Sequence, residues 1–277
     1  MSFPVVIVPV FNAYEHLVVC LESLAPNLPS TAQVLIIDDA STDARVHPYL
    51  QAWVGEETSC RRLVKHEQNR GFVATANHGM RLAGTDVVLL NSDTEVTSGW
   101  LERLADCLAS DQSIATATPW SNNGEIVSIP AFCVANRAPE NPETVAGIIA
   151  SCGRPDYPAM PTAVGFCMAI SLSAIKLVGL FDELTFGLGY GEENDFCQRA
   201  EQAGLRNVLC DNAYVVHHGG ASFGPLGLKP DENSMQRLLA KHPDYMSKVS
   251  EFIQTDPLAD RRQEILDCLE RAGAGMR

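Results

Sequence analysis

Unbroken apolar runs alternate with segments of helical spacing through the first third of the chain. VVIVPV (5–10) is apolar throughout, as a strand covered on both faces must be. In the EHLVVCLESLA that follows, Leu17, Cys20, Leu21 and Leu24 fall on one helical face. QVLIIDD predicts a second buried strand ending in acids, HPYLQAWV a helix, and RRLVKHE a third strand. GFVATANHGMRLAG predicts a helix closed by Gly84, TDVVLLNSD a fourth strand, and SGWLERLADCLAS a helix with Ser98 as its cap. This alternation predicts a mostly parallel sheet with helices on both faces.

The middle of the chain is less regular. PWSNNGEIVSIP holds a turn cluster, Ser121-Asn122-Asn123-Gly124, ANRAPENPETV reads as a loop and TVAGIIASCG as a helix. A strand around VGFCMAIS, a helix around SAIKLVG, a helix GEENDFCQRAEQAG ending at Gly204, and a strand NVLCDNAYVVHHGG follow. From Asn233 the pattern is helical and charged, interrupted by Pro243. There is no internal repeat.

Ligands of open α/β sheets bind beyond the carboxyl ends of the strands. Those ends are polar here: Asn12, then Asp38 and Asp39, then Asn91-Ser92-Asp93. A carboxylate such as Asp93 can take a divalent cation that in turn holds a diphosphate; it can also be a plain turn former. Glu192 and Glu193 open a helix, where negative charge is favoured by the dipole, and Asp195 with Arg199 can pair across one turn. Gly189 and Gly191 precede the two glutamates, and a carboxylate at the end of such an open loop can serve as general base on a hydroxyl. His217-His218 ends an apolar strand before glycines, and imidazole suits Mn²⁺ better than Mg²⁺. Asn69, Gly71, Asn77 and Gly79 in QNRGFVATANHG offer amide contacts and close approach, without the spacing of a Walker loop; no GxGxxG follows the first strand.

Composition removes several classes. The net charge of −14 gives no basic footprint for nucleic acid, and an anionic ligand would need local Arg/Lys, backbone N–H groups or a divalent cation. Nine cysteines, an odd number without a CxxC pair, mostly in apolar stretches, predict reduced, buried thiols of a cytosolic protein. The opening MSFPVVIVPV reads as a strand and not a signal peptide. No run reaches the roughly 20 apolar residues that span a bilayer, although peripheral attachment to the inner face of a membrane stays compatible.

VIVPVFNAYEHLVVCLESL, LIIDDAST, EQNRGFVATANHGM, VVLLNSDTEV, VGFCMAIS, VGLFDE, GYGEENDFCQRA and VVHHGGASF, in that order, closely resemble the family 2 glycosyltransferases, over about residues 3–224. The resemblance implies a GT-A fold, a Rossmann-like, mostly parallel sheet flanked by helices, and an inverting transfer from a nucleoside-diphosphate sugar. It implies a GT-A domain over 1–224, with 1–118 as nucleotide-binding half and 119–224 as acceptor and catalytic half. A helical C-terminal extension would occupy 225–277. Asp38 and Asp39 would contact base and ribose, and Pro9, Phe11 and Asn12 would line the nucleotide pocket with Asn69, Gly71, Asn77 and Ser92. Asn91-Ser92-Asp93 matches the DxD metal motif with Asn in first place, so Asp93 would be the carboxylate ligand of Mn²⁺ or Mg²⁺. His217 or His218 would complete the metal's shell, His217 being favoured. Glu193 falls at the position of the catalytic base, and Trp120, Asn122, Asn123 and Glu192 would shape the sugar or acceptor pocket.

UDP- or dTDP-sugars lead as donors, GDP-sugars being another option, and a saccharide, a lipid-linked saccharide or a protein as acceptor. The PWSNNGE stretch resembles rhamnosyl- and galactosyltransferases of bacterial surface polysaccharide. A nucleotidyltransferase would carry a Gly-rich, basic loop after the first strand, which PVFNAYEH lacks. An inactive sugar-nucleotide-binding or scaffold protein of the same fold is the alternative from another class.

Overall fold

The computed structural model describes residues 3–55, 60–187, 189–219 and 232–275. Strands β1 (Val5–Val10), β2 (Val34–Asp38), β3 (Arg61–Lys65) and β4 (Val87–Leu90) pair in parallel in the order β3-β2-β1-β4. Between them run α1 (Tyr14–Leu24), α2 (Val46–Val54) and α3 (Phe72–Ala83). Beyond β4 the sheet continues through β8 (Cys167–Ile170), β6 (Ile114–Trp120), β9 (Arg206–His217) and β5 (Thr94–Val96), with β7 (Ala159–Met160) also on β9. β8 is antiparallel to both neighbours and β9 is parallel to β6, so the sheet is mostly parallel with antiparallel inserts. The division expected at residue 118 falls inside β6.

Alternate side chains of each strand supply two cores. Val6, Val8 and Val10 of β1 and Val34 and Ile36 of β2 face the side covered by α1, α2, α4 (Trp100–Ser110) and α5 (Pro142–Ser151). Ile7, Leu35 and Ile37 face the side covered by α3, α6 (Leu172–Val178), α7 (Glu183–Phe186) and α8 (Glu192–Gln202). Each such side chain, fully buried, contributes about 1.5–3 kcal/mol. Gly79 of α3 is needed for this packing: a Cβ there would lie 2.6 Å from Ile7 Cγ2.

The C-terminal segment divides between both faces. α9 (Glu232–Lys241) and α10 (Tyr245–Thr255) bring Leu238 and Tyr245 into the core around α8. α11 (Ala259–Arg271) brings Leu258, Ile265 and Leu269 into the opposite core with Ile149. It also brings Cys268 to Cys152 at the end of α5, with Cα atoms 6.4 Å apart, and the two form a disulfide. This corrects the expectation that these two thiols are reduced; the other seven cysteines are not disulfide-bonded. The partners lie 116 residues apart, and only the docking of α11 joins them.

Two local expectations also change. Ser98 does not cap α4: Gly99 takes that place with φ 73°, and Ser98 instead donates its amide to Glu143 at 3.0 Å. β6, to which the sequence pattern assigns no element, is a strand buried at all seven positions.

Candidate active site

The ends of β4 and β9 meet through the short antiparallel β5, which opposes Thr94 to His217. This brings the acid of the Asn91-Ser92-Asp93 turn beside the histidine that ends β9: His217 Nε2 lies 3.5 Å from Asp93 Oδ1. The ring is fixed on its other side. Nδ1 lies 2.6 Å from the Asn123 carbonyl, which can only accept, so Nδ1 carries the proton. Phe166 stacks on the same ring at 5.2 Å. Asn122 holds the backbone, accepting the His217 amide at 2.9 Å and donating to the His217 carbonyl at 3.1 Å. Gly219 has φ 75°, which disfavours any other residue, and a Cβ there would have to displace Asn123 Nδ2, 2.4 Å away.

A neutral His217 therefore aims the lone pair of Nε2 toward Asp93. Burial disfavours the imidazolium, but the Asp93 carboxylate outweighs it and the His217 pKa is raised. A proton or a cation satisfies the same pair of acceptors. One carboxylate oxygen and one imidazole nitrogen fit a divalent ion that keeps water or ligand oxygens in its other positions, and the mixed set suits Mn²⁺. Ser92 beside them is buried, its Oγ without a hydrogen-bond partner among the described residues. His218 turns elsewhere, with Nε2 3.5 Å from Glu95 Oε2 and its ring near His16. The structure thus separates the two rings: that of His217 faces the Asp93 carboxylate and that of His218 faces Glu95, while the His218 amide donates to the Asp93 carbonyl at 2.9 Å.

Glu192 and Glu193 occupy the first turn of α8. Burial, with the Glu193 charge beside it, raises the Glu192 pKa well above the ordinary glutamate value. Glu192 is only 4% exposed. Glu193 is half-buried, and its Oε2 has no hydrogen-bond partner among the described residues. Asp195 pairs with Arg199 at 2.8 Å, as the spacing predicts.

Several residues expected to touch ligand also hold the frame. Asp38 is fully buried: one oxygen accepts the Ser41 amide at 2.9 Å and the other meets His47 Nδ1 at 3.1 Å. Asp39 accepts the amides of Arg70 and Gly71, both at 2.9 Å, and meets His66 Nδ1 at 2.7 Å. The Asn12 amide oxygen accepts the amides of Thr42 and Asp43, tying the loops after β1 and β2. Asn77 bridges α3 to the loop before α7, donating to the Phe181 carbonyl at 2.9 Å and accepting its amide at 3.0 Å. Trp120 is a core side chain whose Nε1 donates to the Asp211 carbonyl at 3.2 Å. Asn122, also buried, serves the backbone as described. The buried polar groups among these need partners, and the chain supplies them.

Pro9, Phe11 and Asn123 keep partial exposure, while Asn69 is exposed and accepts the Gly71 amide at 3.1 Å. Glu125 was not singled out from the sequence. It sits in a tight turn with φ 50° and keeps solvent contact, yet crowding round its carboxyl raises its pKa, Glu193 raises it further, and His217 opposes. It is the one acid of the PWSNNGEIVSIP cluster, the signal that could have found it.

The family model described as glycosyl transferase family 2 matches residues 5–176, more than half of the chain. The chain belongs to this family. Glu193, His217 and His218 lie past the matched span. Among curated proteins, glycosyltransferase GlyG of Streptococcus pneumoniae is 30% identical over 101 residues, 36% of this chain and 33% of GlyG. The uncharacterized glycosyltransferase YibD of Escherichia coli is 32% identical over 100 residues, 36% of this chain and 28% of YibD. The alignments thus span about a third or less of these relatives.

Among solved structures, GalNAc-T7 with UDP, GalNAc and Mn²⁺ superposes with a TM-score of 0.61 at 16% identity, covering 96% of this chain and 56% of that one. The mannosyltransferase PcManGT of Pyrobaculum calidifontis with GDP-Man and Mn²⁺ gives 0.58 at 15% identity, covering 99% and 76%. Residues 1–349 of S. aureus TarS with UDP-GlcNAc give 0.56 at 16%, covering 97% and 80%. The shared architecture is the GT-A fold. No helix among the described residues is long and apolar enough to cross a membrane.

Proposed function

We propose that this chain is an inverting glycosyltransferase that moves a sugar from a nucleoside-diphosphate sugar to a hydroxyl of a saccharide, lipid-linked or protein acceptor. The observation that carries the reading is the pair Asp93 and His217, facing each other across 3.5 Å with the free nitrogen set by Asn123. That pair would hold a divalent ion, Mn²⁺ ahead of Mg²⁺, which when bound offsets charge developing on the leaving diphosphate. The solved proteins of the same fold with UDP or GDP-Man and Mn²⁺ support this ligand class.

Glu193 is the general base of this reading. The acceptor oxygen attacks the anomeric carbon from the face opposite the diphosphate while its proton passes to the Glu193 carboxylate. Glu192 is suited to a different part, because its raised pKa favours the neutral acid. UDP- and dTDP-sugars head the donor list, and a lipid-linked acceptor would place the protein at the inner face of a membrane.

Thermal shift against UDP, dTDP, GDP and ADP, each with Mn²⁺, Mg²⁺ or EDTA, tests donor and metal together. A ligand at about 100 times its Kd adds ~2.7 kcal/mol, so one diphosphate should stabilise the protein in a metal-dependent way. Glu193→Gln should keep that shift and lose transfer. If no nucleotide shifts the protein with either metal, the reading fails.

A further inference from the structure

The proposed base stands in the first turn of a helix that has no side-chain cap. The chain enters α8 through Gly187, Gly189, Tyr190 and Gly191, with φ of 55°, 145°, 71° and 101°. Gly191 at the N-cap supplies no side-chain hydrogen bond to the first turn. A helix start without a cap leaves amides unsatisfied and tends to fray.

The helices that follow α8 in the chain hold it. Tyr245 of α10 donates its hydroxyl to the side-chain oxygen of Asn194, the residue after Glu193. Next along, Asp195 receives Lys241 Nζ at 2.6 Å and His242 Nε2 at 2.8 Å on one oxygen, and Arg199 on the other. Lys241 also reaches Asp182, ahead of α7, at 2.8 Å. Further down α8, Lys248 reaches Gln198 at 3.1 Å and Glu201 at 2.8 Å, and His242 Nδ1 meets Gln202 at 3.2 Å. Residues 194, 198, 201 and 202 share one face of the helix by spacing, so one polar stripe of α8 is taken up by the α9–α10 segment. Asp195 is fully buried and His242 nearly so, which makes these contacts strong and costly to break.

We propose that α9 and α10 form a clamp that aims Glu193, with Lys241, His242 and Tyr245 as positioning residues acting through Asn194 and Asp195. The inference rests on the reading of Glu193 as base. It gives the C-terminal helices a part in the reaction: they set the angle of the first turn of α8 over the acceptor hydroxyl, where misplacement by about 1 Å can cost 100-fold in rate.

The full-length protein carrying Tyr245→Phe or Lys241→Met tests it, with steady-state kinetics in both substrates once the donor is known. Each change should lower kcat about tenfold or more and leave KM for donor and acceptor within about twofold. Lys241→Arg should restore most of the loss. Cys268→Ser, which removes the tie between α11 and α5, should lower Tm with kcat unchanged. Normal kcat in Tyr245→Phe and Lys241→Met, or equal losses in Cys268→Ser, would overturn the clamp. Glu193→Gln separates the two ideas. If it stays active, the base assignment fails; if it is dead while the clamp variants are normal, only the clamp fails. Tyr245→Phe removes one oxygen from a packed ring, so it reports even where Lys241→Met folds poorly.

Discussion

His217 and Asn123 fix each other's chemistry: a 2.6 Å bond from Nδ1 to the Asn123 carbonyl leaves Nε2 as the nitrogen that faces Asp93. A histidine oriented in this way through its far nitrogen is the usual arrangement of a metal ligand.

His217→Ala should therefore weaken Mn²⁺-dependent stabilisation by nucleotide at least tenfold in metal affinity, whereas His218→Ala should stay near the parent value. Titration of Mn²⁺ at fixed nucleotide, followed by Tm, gives both numbers. Equal losses in the two variants would contradict the separation of the histidines.

Glu192→Gln should be mild where Glu193→Gln is severe. The amide has the shape of the neutral acid that Glu192 is disposed to be, so transfer should fall by less than about fivefold; loss of a positioned base costs about 10²–10⁴. Initial rates at saturating substrates decide it.

Asn77→Ala should cost about 1–3 kcal/mol of stability, because it strands the Phe181 amide and carbonyl. Urea denaturation measures this, and the nucleotide-induced shift should keep its size. A lost shift with unchanged stability would return Asn77 to the ligand.

Acid should loosen the C-terminal helices. Burial alone would raise the pKa of Asp182, but hydrogen bonds from Lys241 and Thr185 bring it down to about 2 from 3.8. Asp195 is likewise lowered, with Lys241, His242 and Arg199 outweighing burial. Groups with depressed folded pKa stabilise the fold above the unfolded value, and the contribution is lost as pH falls through the folded one. Tm should drop between about pH 4 and pH 2, and Lys241→Met should flatten that drop. An unchanged acid slope in the variant would show that Lys241 does not hold these acids.

Thiol titration of the unfolded, unreduced chain should count seven free thiols and not nine. Cys268→Ser should lower stability by about 2–4 kcal/mol. A count of nine would restore the reduced state that composition pointed to.

The βα alternation up to α4 was legible because each of those strands carries apolar residues for two cores. β6 was not: IATATPW averages Ala and Thr, and only the fold supplies Asn207 as acceptor for the Thr116 hydroxyl. The site divides in the same way. Asp93, Glu193 and His217 stand at element ends, where polar residues after apolar runs (Asp93, His217) or after a glycine loop (Glu193) are visible in one dimension. The frame-holding parts of Asn77, Asn122 and Trp120 depend on partners 104, 95 and 91 residues away, which spacing along the chain does not encode. An amide offered to a ligand and an amide offered to the backbone look alike until the backbone is in place.

The Gly71 amide that opens α3 is already bound to Asp39. Helix starts often meet phosphate, but this one is turned inward on the chain's own carboxylate. On a chain with net charge −14, an anionic donor arriving alone finds the Gly71 amide already taken. Cation and donor would then enter as linked ligands, each raising the affinity of the other by the same factor. Under that linkage the supply of divalent ion sets donor occupancy even when the donor itself is abundant.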